Sequence, residues 1–266
     1  PRPPPGWAAP PPGAGAWGAG PRPVVNGRAE LIAALSRDGV AASFAGHPQI
    51  LSPVTRRVER AALAAIADGP ADLAGLHPDL RFPVIVRPIG SHAGKGLEKL
   101  DSPAALGAYL QARPEREFFV AAFADYAGAD GLYRKLRVVF VNGAPFVAHL
   151  AVSGRWMVHY LNADMDQAAH RLEEAEMMAG FDQGFAARHR EAFEALHATF
   201  GLDYFGIDCA ETADGRLLVF EADVAMIVHA MDSTESHPYK KPAMAKLFAG
   251  FIAGLAASAA RHRQAA

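Results

Sequence analysis

Three carboxylates in the C-terminal third of the chain, Asp208, Glu221 and Asp223, fall on one face of one predicted β-hairpin. Tyr204 to Ala213 reads as a strand and Arg216 to Asp223 as its partner. Asp214-Gly215 between them is a strong two-residue type I′ turn signal. Such a turn pairs Ala213 with Arg216 and places Asp208 directly opposite Glu221. The period of two along a strand adds Asp223 to the same face. Like charges directly opposite destabilise a sheet. Two carboxylates this close keep both charges only with a cation between them; otherwise one takes up a proton. Hard oxygen donors select Mg²⁺ or Mn²⁺, ions often bridged to substrate phosphates. The plain alternative is a solvated hairpin with three unrelated acids, against which the apolar neighbours on both strands argue.

A second chemical feature is the loop Arg87-Pro88-Ile89-Gly90-Ser91-His92-Ala93-Gly94-Lys95-Gly96-Leu97. Its glycines let backbone N–H groups approach a phosphate, as in an anion nest. It is not the Walker pattern, because no Gly-Lys-Ser/Thr opens a helix. A glycine loop by itself is equally a tight turn. Here a basic residue ends the preceding apolar strand (82–87) and a short strand near Leu97–Lys99 follows. The whole reads as a hairpin-like flap able to fold over a triphosphate.

The elements that must position these residues follow from caps and periodicity. Residues 1–23 are Pro-, Gly- and Ala-rich and read as a lead-in or linker, with Trp7 and Trp17 free to dock on the body. From Val24 the pattern becomes globular. Asn26 caps a predicted helix through Asp38, closed by Gly39. Ser52-Pro53 is a cap with proline at the first helical position, opening a helix to Ile66. Ser102-Pro103 repeats that signature for a helix to Ala112, and Phe118–Phe123 is a strand. Tyr133–Val141 and Pro145–Val152 are strands joined by Asn142-Gly143, with a third strand at Arg155–Tyr160. Helices follow at 166–179 and 183–199, and a last helix at Pro242–Arg261. No internal repeat is evident. Mixed strands and helices with several hairpins make an α+β fold, not a doubly wound parallel sheet.

Bulk properties narrow the partners. The chain has 266 residues and a formal charge of −2, with neither a nucleic-acid footprint nor a polybasic membrane patch. No apolar run approaches the roughly 20 residues that span a bilayer. We therefore expect no nucleic-acid partner and no membrane. The lone Cys209 cannot form an internal disulfide, which points to a reducing, cytoplasmic setting. Strand alternation turns it away from Asp208, as a small buried filler. A first residue of Pro1 instead of Met leads us to expect a fragment or a processed product.

The order of these features is a basic residue on a strand, a small-residue flap, an apolar hinge strand, an arginine on a long strand, then Asp…Glu-x-Asp on a hairpin. It resembles the ATP-grasp fold, and within it the RimK-like branch of glutamate ligases that modify ribosomal protein S6. The resemblance covers residues 50–260 and is strongest at Val84–Leu97, Lys135–Val138 and Gly201–Asp223. The stretches Asp130–Arg137, Trp156–Tyr160 and Phe220–His229 are also similar to ATP-grasp domains attached to tetratricopeptide repeats in bacterial proteins. The resemblance implies two α+β subdomains holding a nucleotide between them. Residues 52–120 would be the small subdomain with the flap, and 121–262 the large one with the metal site. Residues 24–51 would be a remnant of a preceding domain, so either the acceptor-binding part is missing here or another domain supplies it.

Site roles follow from the same resemblance. Arg87 stands where the family usually has a lysine on the nucleotide phosphates, and brings a planar fork in place of a point donor. Ser91, His92, Gly94 and Gly96 would form the phosphate flap. Ala121 to Ala124 match the hinge whose backbone pairs with adenine, which assigns Ala122, Phe123 and Ala124 to the base. Ala122 replaces the acidic residue frequent there. Asp125 would reach the ribose, and Lys135 would join the nucleotide site. Arg137 matches the arginine at the terminal phosphate and acyl intermediate. Asp208 and Glu221 match the metal ligands, with Asp223 where Asn is more usual. His149, Trp156, His159, Asn162 and His229 are candidates for a substrate pocket. Plain alternatives stand beside these: Arg87 as a surface strand end, Arg137 paired structurally with Glu117 or another acid, His92 as a solvated loop residue, and Trp156 and His229 as core. Tyr239 and Lys240 read as a solvated turn at the start of the last helix.

The implied reaction is an ATP- and Mg²⁺- (or Mn²⁺-) dependent ligation. A carboxylate attacks the γ-phosphate to give an acylphosphate, and an amine or thiol, a peptide among the options, then displaces phosphate. This requires alignment and charge neutralisation more than a protein nucleophile, and a closed flap to keep water from the acylphosphate. A tetratricopeptide-repeat region in the same full-length chain is the expected neighbour. The alternatives are an ATP-grasp small-molecule kinase and a non-catalytic nucleotide-binding module.

Overall fold

The computed structural model describes residues 24–92 and 94–265, with side chains described as far as residue 260. The proline-rich lead-in, with Trp7 and Trp17, lies outside the described residues. The chain begins with two short helices, α1 (Ala29–Ala33) and α2 (Arg37–Ser43), in place of the single helix expected through Asp38. The break has a local cause. Ser36 starts a new helix by accepting a hydrogen bond from the Gly39 N–H at 3.3 Å, an N-cap. Gly39 is inside α2 and does not close a helix. A Cβ there would sit 2.4 Å from the Ala34 carbonyl oxygen, so only glycine allows the close turn. Asn26 is no cap either: its side chain bridges the backbone of Tyr204, accepting from its N–H at 2.9 Å and donating to its carbonyl.

The strand β1 (Ile50–Leu51) is followed by β2 (Thr55–Glu59) and helix α3 (Arg60–Ala67). The helix expected from Ser52-Pro53 is thus half strand. Thr55–Glu59 pairs along its whole length with β5 (Glu117–Ala122), with Thr55 opposite Ala121 and Glu59 opposite Glu117. Tertiary pairing overrides the cap signal. Then come β3 (Val84–Pro88), β4 (Glu98–Leu100) and α4 (Pro103–Gln111). Ser102 caps α4 by accepting from the Ala105 N–H at 3.2 Å, with Pro103 in its first turn. These strands form an antiparallel sheet in the order β2-β5-β3-β4. Its core is Leu63, Val84, Val86, Leu106, Phe118 and Val120, all buried.

The second sheet is larger. β6 (Tyr133–Val141) and β7 (Ala144–Ser153) meet at the expected Asn142-Gly143 turn. The third strand expected at Arg155–Tyr160 is absent. The chain loops there instead, into a 3₁₀ turn at Tyr160–Asn162. Asp164 takes up the Gly154 N–H at 3.0 Å and the Ser153 hydroxyl at 3.2 Å, which bends the chain out of line after β7. Helices α5 (Ala168–Ala179), α6 (Phe185–Arg188) and α7 (Arg190–Phe200) lead to β8 (Tyr204–Glu211) and β9 (Leu217–Asp223). The sheet order is β1-β9-β8-β6-β7, and β1 runs parallel to β9. Residues 24–51 therefore pack on this sheet through β1 and α2.

One face of the larger sheet is apolar. Phe140, Phe205, Ile207, Cys209 and Val219 lie in a core with Phe193, Leu196 and Phe200 from α7. Burial raises the Cys209 thiol well above its usual range, as fits a buried filler. The last helix, α8 (Lys240–Ala265), starts two residues earlier than expected. Its stretch Lys240–Ala260 has a mean hydropathy of 1.6 over its most apolar window and is long and apolar enough to cross a membrane by length and composition. That departs from the expectation that nothing in the chain would approach this length. Met244 and Leu247 of α8 are 2% exposed in the core of the larger sheet, so packing accounts for part of its apolar character.

Candidate active site

The opposite face of the larger sheet carries charge. Strand alternation places Lys135 and Arg137 of β6 on it, and Asp208 of β8 opposite Arg137. Asp208 is in turn opposite Glu221 of β9, and Arg137 is opposite His149 of β7. Glu221, Asp208, Arg137 and His149 thus form one row across four strands. The expected hairpin register holds at Asp208 and Glu221, by a different route from the two-residue turn. The strands stop at Glu211 and resume at Leu217, paired one residue out of step with the expectation. The wider turn is closed by the Thr212 N–H on the Arg216 carbonyl at 3.0 Å. A bulge between Asp208 and Cys209 then absorbs Phe220 and restores the step.

Asp208 is 3% exposed. The Lys135 ammonium reaches its Oδ2 at 2.9 Å, and the Arg137 guanidinium forks onto it at 2.8 and 3.1 Å. Burial opposes its charge, yet Lys135 and Arg137 hold its carboxyl well below the usual carboxylate range. Arg137 also donates to the Ile227 carbonyl at 3.0 Å. The acid on Arg137 is therefore Asp208 and not Glu117, which lies in the smaller sheet. Glu221 is ion-paired with Arg37 of α2. Asp223 is exposed and accepts the Ala225 N–H at 2.8 Å.

Arg87 closes the site from the smaller sheet. It is 7% exposed, at the end of β3, which removes the reading of a surface strand end. Its guanidinium donates to the Ser91 hydroxyl at 3.1 Å and to the Ser91 carbonyl. Among the described residues no carboxylate forms an ion pair with it. Burial, and next the positive charge of Arg37, lower it to about 10. A buried guanidinium bonded only to neutral oxygens has capacity left for an anion. The loop after it takes positive φ at Gly90, Gly94 and Gly96. At Gly96 a Cβ would meet Pro88 Cδ at 2.8 Å, and its carbonyl accepts the Tyr109 hydroxyl at 2.7 Å, so the turn is anchored at its far end. His92 is exposed. Gly94 faces Met157 of the larger half, where a Cβ would lie 3.6 Å from the sulfur.

The hinge segment follows β5. The Ala122 N–H donates to the Val54 carbonyl at 2.9 Å and the Phe123 N–H to the Pro83 carbonyl at 3.4 Å, which removes these two donors from contact with a base. The Phe123 ring packs edge-on to Trp156 at 5.9 Å, and the Lys99 ammonium lies 4.1 Å from its centroid. Ala124 is half-buried; Asp125 is exposed and accepts from the Ala127 N–H at 3.1 Å.

The substrate candidates divide. The His149 ring packs at a tilt against Tyr160, with centroids 4.6 Å apart. Burial, then the charge of Arg137, lowers it well below the usual imidazole range. His159 is lowered by burial and by Lys135 and Arg137, which places both histidines near the charged row. Asn162 is exposed, with its side-chain oxygen on the His159 N–H at 2.9 Å. His229 is exposed on the loop after β9. Tyr239 and Lys240 are not a solvated turn. Lys240 is 5% exposed and contacts Glu174 at 3.3 Å and Asp232 at 3.1 Å. Tyr239 donates to Glu174 at 2.6 Å, and the fully buried Glu174 also accepts from Tyr160 at 3.1 Å and the Leu150 N–H at 3.1 Å. This cluster ties α5, β7 and the start of α8 together beneath His149. Sequence reasoning missed it, and missed Arg37.

Hard donors on adjacent strands suit a divalent cation. As placed, however, both oxygens of Asp208 and Oε2 of Glu221 are held by protein cations. No three His, Cys, Asp or Glu side chains among the described residues gather to hold a metal. The carboxylates do not form a ready metal cage in this arrangement.

No protein-family model and no curated protein matches the chain. Solved structures do. The D-alanine-D-alanine ligase from Coxiella burnetii superposes with a TM-score of 0.52 at 11% identity, over 91% of this chain and 61% of that one. The RimK domain ATP-grasp protein from Sphaerobacter thermophilus gives 0.46 at 20% identity, over 86% and 70%. The ATP-grasp ligase PsnB, solved with a precursor peptide and AMPPNP, gives 0.46 at 13%, over 88% and 62%. This chain therefore spans less than two thirds of the length of the Coxiella ligase and of PsnB.

Proposed function

We propose that this chain, whose fold is that of the ATP-grasp proteins, is an ATP-dependent ligase that joins a carboxylate to an amine or thiol through an acylphosphate, releasing ADP and phosphate. The observation that carries the reading is the buried, acid-free Arg87 on the smaller sheet, close enough to feel the charges of Arg37 and Glu221 on the larger half. A triphosphate between the sheets would give Arg87 its missing anion and meet Lys135 and Arg137 from the other side. ATP and Mg²⁺ (or Mn²⁺) belong to this proposal, with Asp208, Glu221 and Asp223 as the oxygen donors once the cations now on Asp208 and Glu221 turn to phosphate.

The chemistry asked of the chain is alignment and charge stabilisation. Arg87 and the flap Ser91, His92, Gly94 and Gly96 would hold phosphate. Arg137 would stabilise charge on the transferring group. Phe123, Ala124 and Asp125 would border the base and ribose, and Met157 opposite Gly94 would help the flap exclude water. His149 and His159, kept neutral near the row, would border the acyl and acceptor groups. The kinship to the RimK-like branch, a peptide acceptor, a neighbouring tetratricopeptide-repeat region and a cytoplasmic setting are parts of the same proposal.

A non-catalytic nucleotide-binding module is the second reading, and the ion-paired state of Asp208 and Glu221 favours it. The two separate by trapping. With ATP, Mg²⁺, a panel of amino acids and hydroxylamine, a ligase gives a hydroxamate in step with ADP. A kinase gives a stable phosphorylated product and no hydroxamate. A chain that binds ATP and yields neither product with any carboxylate overturns the ligase reading.

A further inference from the structure

We propose that Lys240 and Asp232 are a positioning pair for the ligation site, fastening residues 226–232 as a strap along the charged row so that water is kept from its His149 end. The proposal rests on the ligase reading and adds to it the segment that joins β9 to α8.

Three contacts fix the course of that segment. Met226 packs on Gly206 of β8, where a Cβ would lie 2.9 Å from the Met226 sulfur. Gly206 is two residues from Asp208, so Met226 covers the same face of the sheet. The Ile227 carbonyl accepts from Arg137 of β6 at 3.0 Å. Asp232 meets the Lys240 ammonium at 3.1 Å, and that ammonium lies 4.1 Å from the centre of the Tyr160 ring. The same ring packs against His149 of β7. The segment therefore crosses β8, β6 and β7 in the order in which Asp208, Arg137 and His149 cross them. On its other side Val224 and Val228 line an apolar hollow with Phe248 and Phe251 of α8. It stands as a wall between that helix and the row.

Lys240 serves this wall and not its own helix. It opens α8, where the helix dipole disfavours a cation, and it is 5% exposed, where an ammonium needs an acid. The fully buried Glu174 already supplies one at 3.3 Å. Asp232 is a second acid on the same ammonium, carried by a stretch without helix or strand. What the second acid adds is a hold on that stretch. Between the two fastenings Met231 is 81% exposed and contributes little packing, so the far end depends on the ion pair. Two nucleophiles compete for an acylphosphate beside Arg137 and His149. An amine displaces phosphate and gives the ligated product; water displaces phosphate and returns the carboxylate. A loose strap would favour water.

Lys240→Met would leave Glu174 as a buried acid without a cation, so the pair is cut at Asp232, which leaves Lys240 on Glu174. The test uses the full chain. Thermolysin, which cuts before bulky apolar residues, reports the strap through Ile227, Val228 and Met231, with fragments mapped by mass spectrometry. Asp232→Ala should raise cleavage there about tenfold with other cuts unchanged, as for a local opening. It should bind a non-hydrolysable ATP analogue with wild-type affinity. With ATP, Mg²⁺ and hydroxylamine it should yield at least about fivefold less hydroxamate per ADP, the mark of water entry. Asp232→Asn, whose amide oxygen can still accept from Lys240, should recover most of both losses. Unchanged strap cleavage in Asp232→Ala overturns the fastening. Faster cleavage with an unchanged yield of hydroxamate per ADP overturns the positioning role. If wild type gives no hydroxamate with any carboxylate, the ligase reading fails and takes the proposal with it; if wild type gives hydroxamate and Asp232→Ala matches it, only the strap is wrong.

Discussion

Asp208 lies directly opposite Glu221 across β8 and β9, and each carboxylate is neutralised by cations from a different part of the chain. Asp208 takes Lys135 and Arg137 from its own sheet, while Glu221 takes Arg37 from α2. In this state three cations stand against two acids, which leaves one positive charge in excess. Binding of a triphosphate would redistribute them.

The Glu221 carboxylate is the more exchangeable of the two, because it is partly exposed. Glu221→Gln should abolish ATP turnover, by about 100-fold or more, with the fold intact. An exposed ion pair contributes only about 0–1 kcal/mol. Steady-state ADP release and urea unfolding check both halves, and a wild-type rate would remove Glu221 from the site.

Arg137 is expected to act mainly on the transferring group. Arg137→Ala should cut turnover far more than it weakens ATP binding, the pattern of a contact made chiefly in the transition state. Lys135 remains on Asp208 in that variant and limits the structural damage. Equal losses in kcat and in analogue affinity would make Arg137 a plain phosphate anchor.

Acid pH should expose the worth of the Asp208 cluster. Its carboxyl is held below the ordinary range, so its stabilisation is fully present above the unfolded value of about 4 and is lost as pH falls through the depressed folded value. Asp208→Asn should cost about 3–5 kcal/mol at pH 7, since it leaves buried cations unpaired. The gap from wild type should narrow between pH 5 and pH 2. Denaturant unfolding across that range measures it, and a gap independent of pH would contradict the assignment.

The flap makes a local prediction. Gly96 has φ of +67° and no room beside Pro88, so Gly96→Ala should cost about 1–2 kcal/mol and weaken nucleotide binding. Hydrogen exchange across residues 90–97 should slow when ATP analogue and Mg²⁺ are added. Unchanged exchange with nucleotide bound would rule the loop out as a phosphate cover.

Much of this was legible in the chain because it is written in short-range patterns. The Asn142-Gly143 turn, the Ser102-Pro103 cap and the alternation through Lys135–Arg137 and Asp208 depend on neighbours in sequence. What was not legible depends on distant partners. Thr55–Glu59 carries a helix-opening signature, yet β5 recruits it as a strand. Phe220 is absorbed by a bulge that corrects a wider turn, and two opposite departures left the expected pairing of Asp208 with Glu221 intact. Arg37 and Glu174 sit on helices whose patterns carry no sign of a charged partner, so neither their burial nor their contacts could be read.

The central claim is that Arg87 faces a triphosphate held between the two sheets. Calorimetry of a non-hydrolysable ATP analogue with Mg²⁺, on wild type and on Arg87→Met, tests it most directly. The account predicts saturable one-to-one binding by wild type and a loss of at least about tenfold in Arg87→Met, as for a charge-assisted contact of roughly 1.5–3 kcal/mol. Equal affinities in the two proteins, or no binding by wild type, would contradict it.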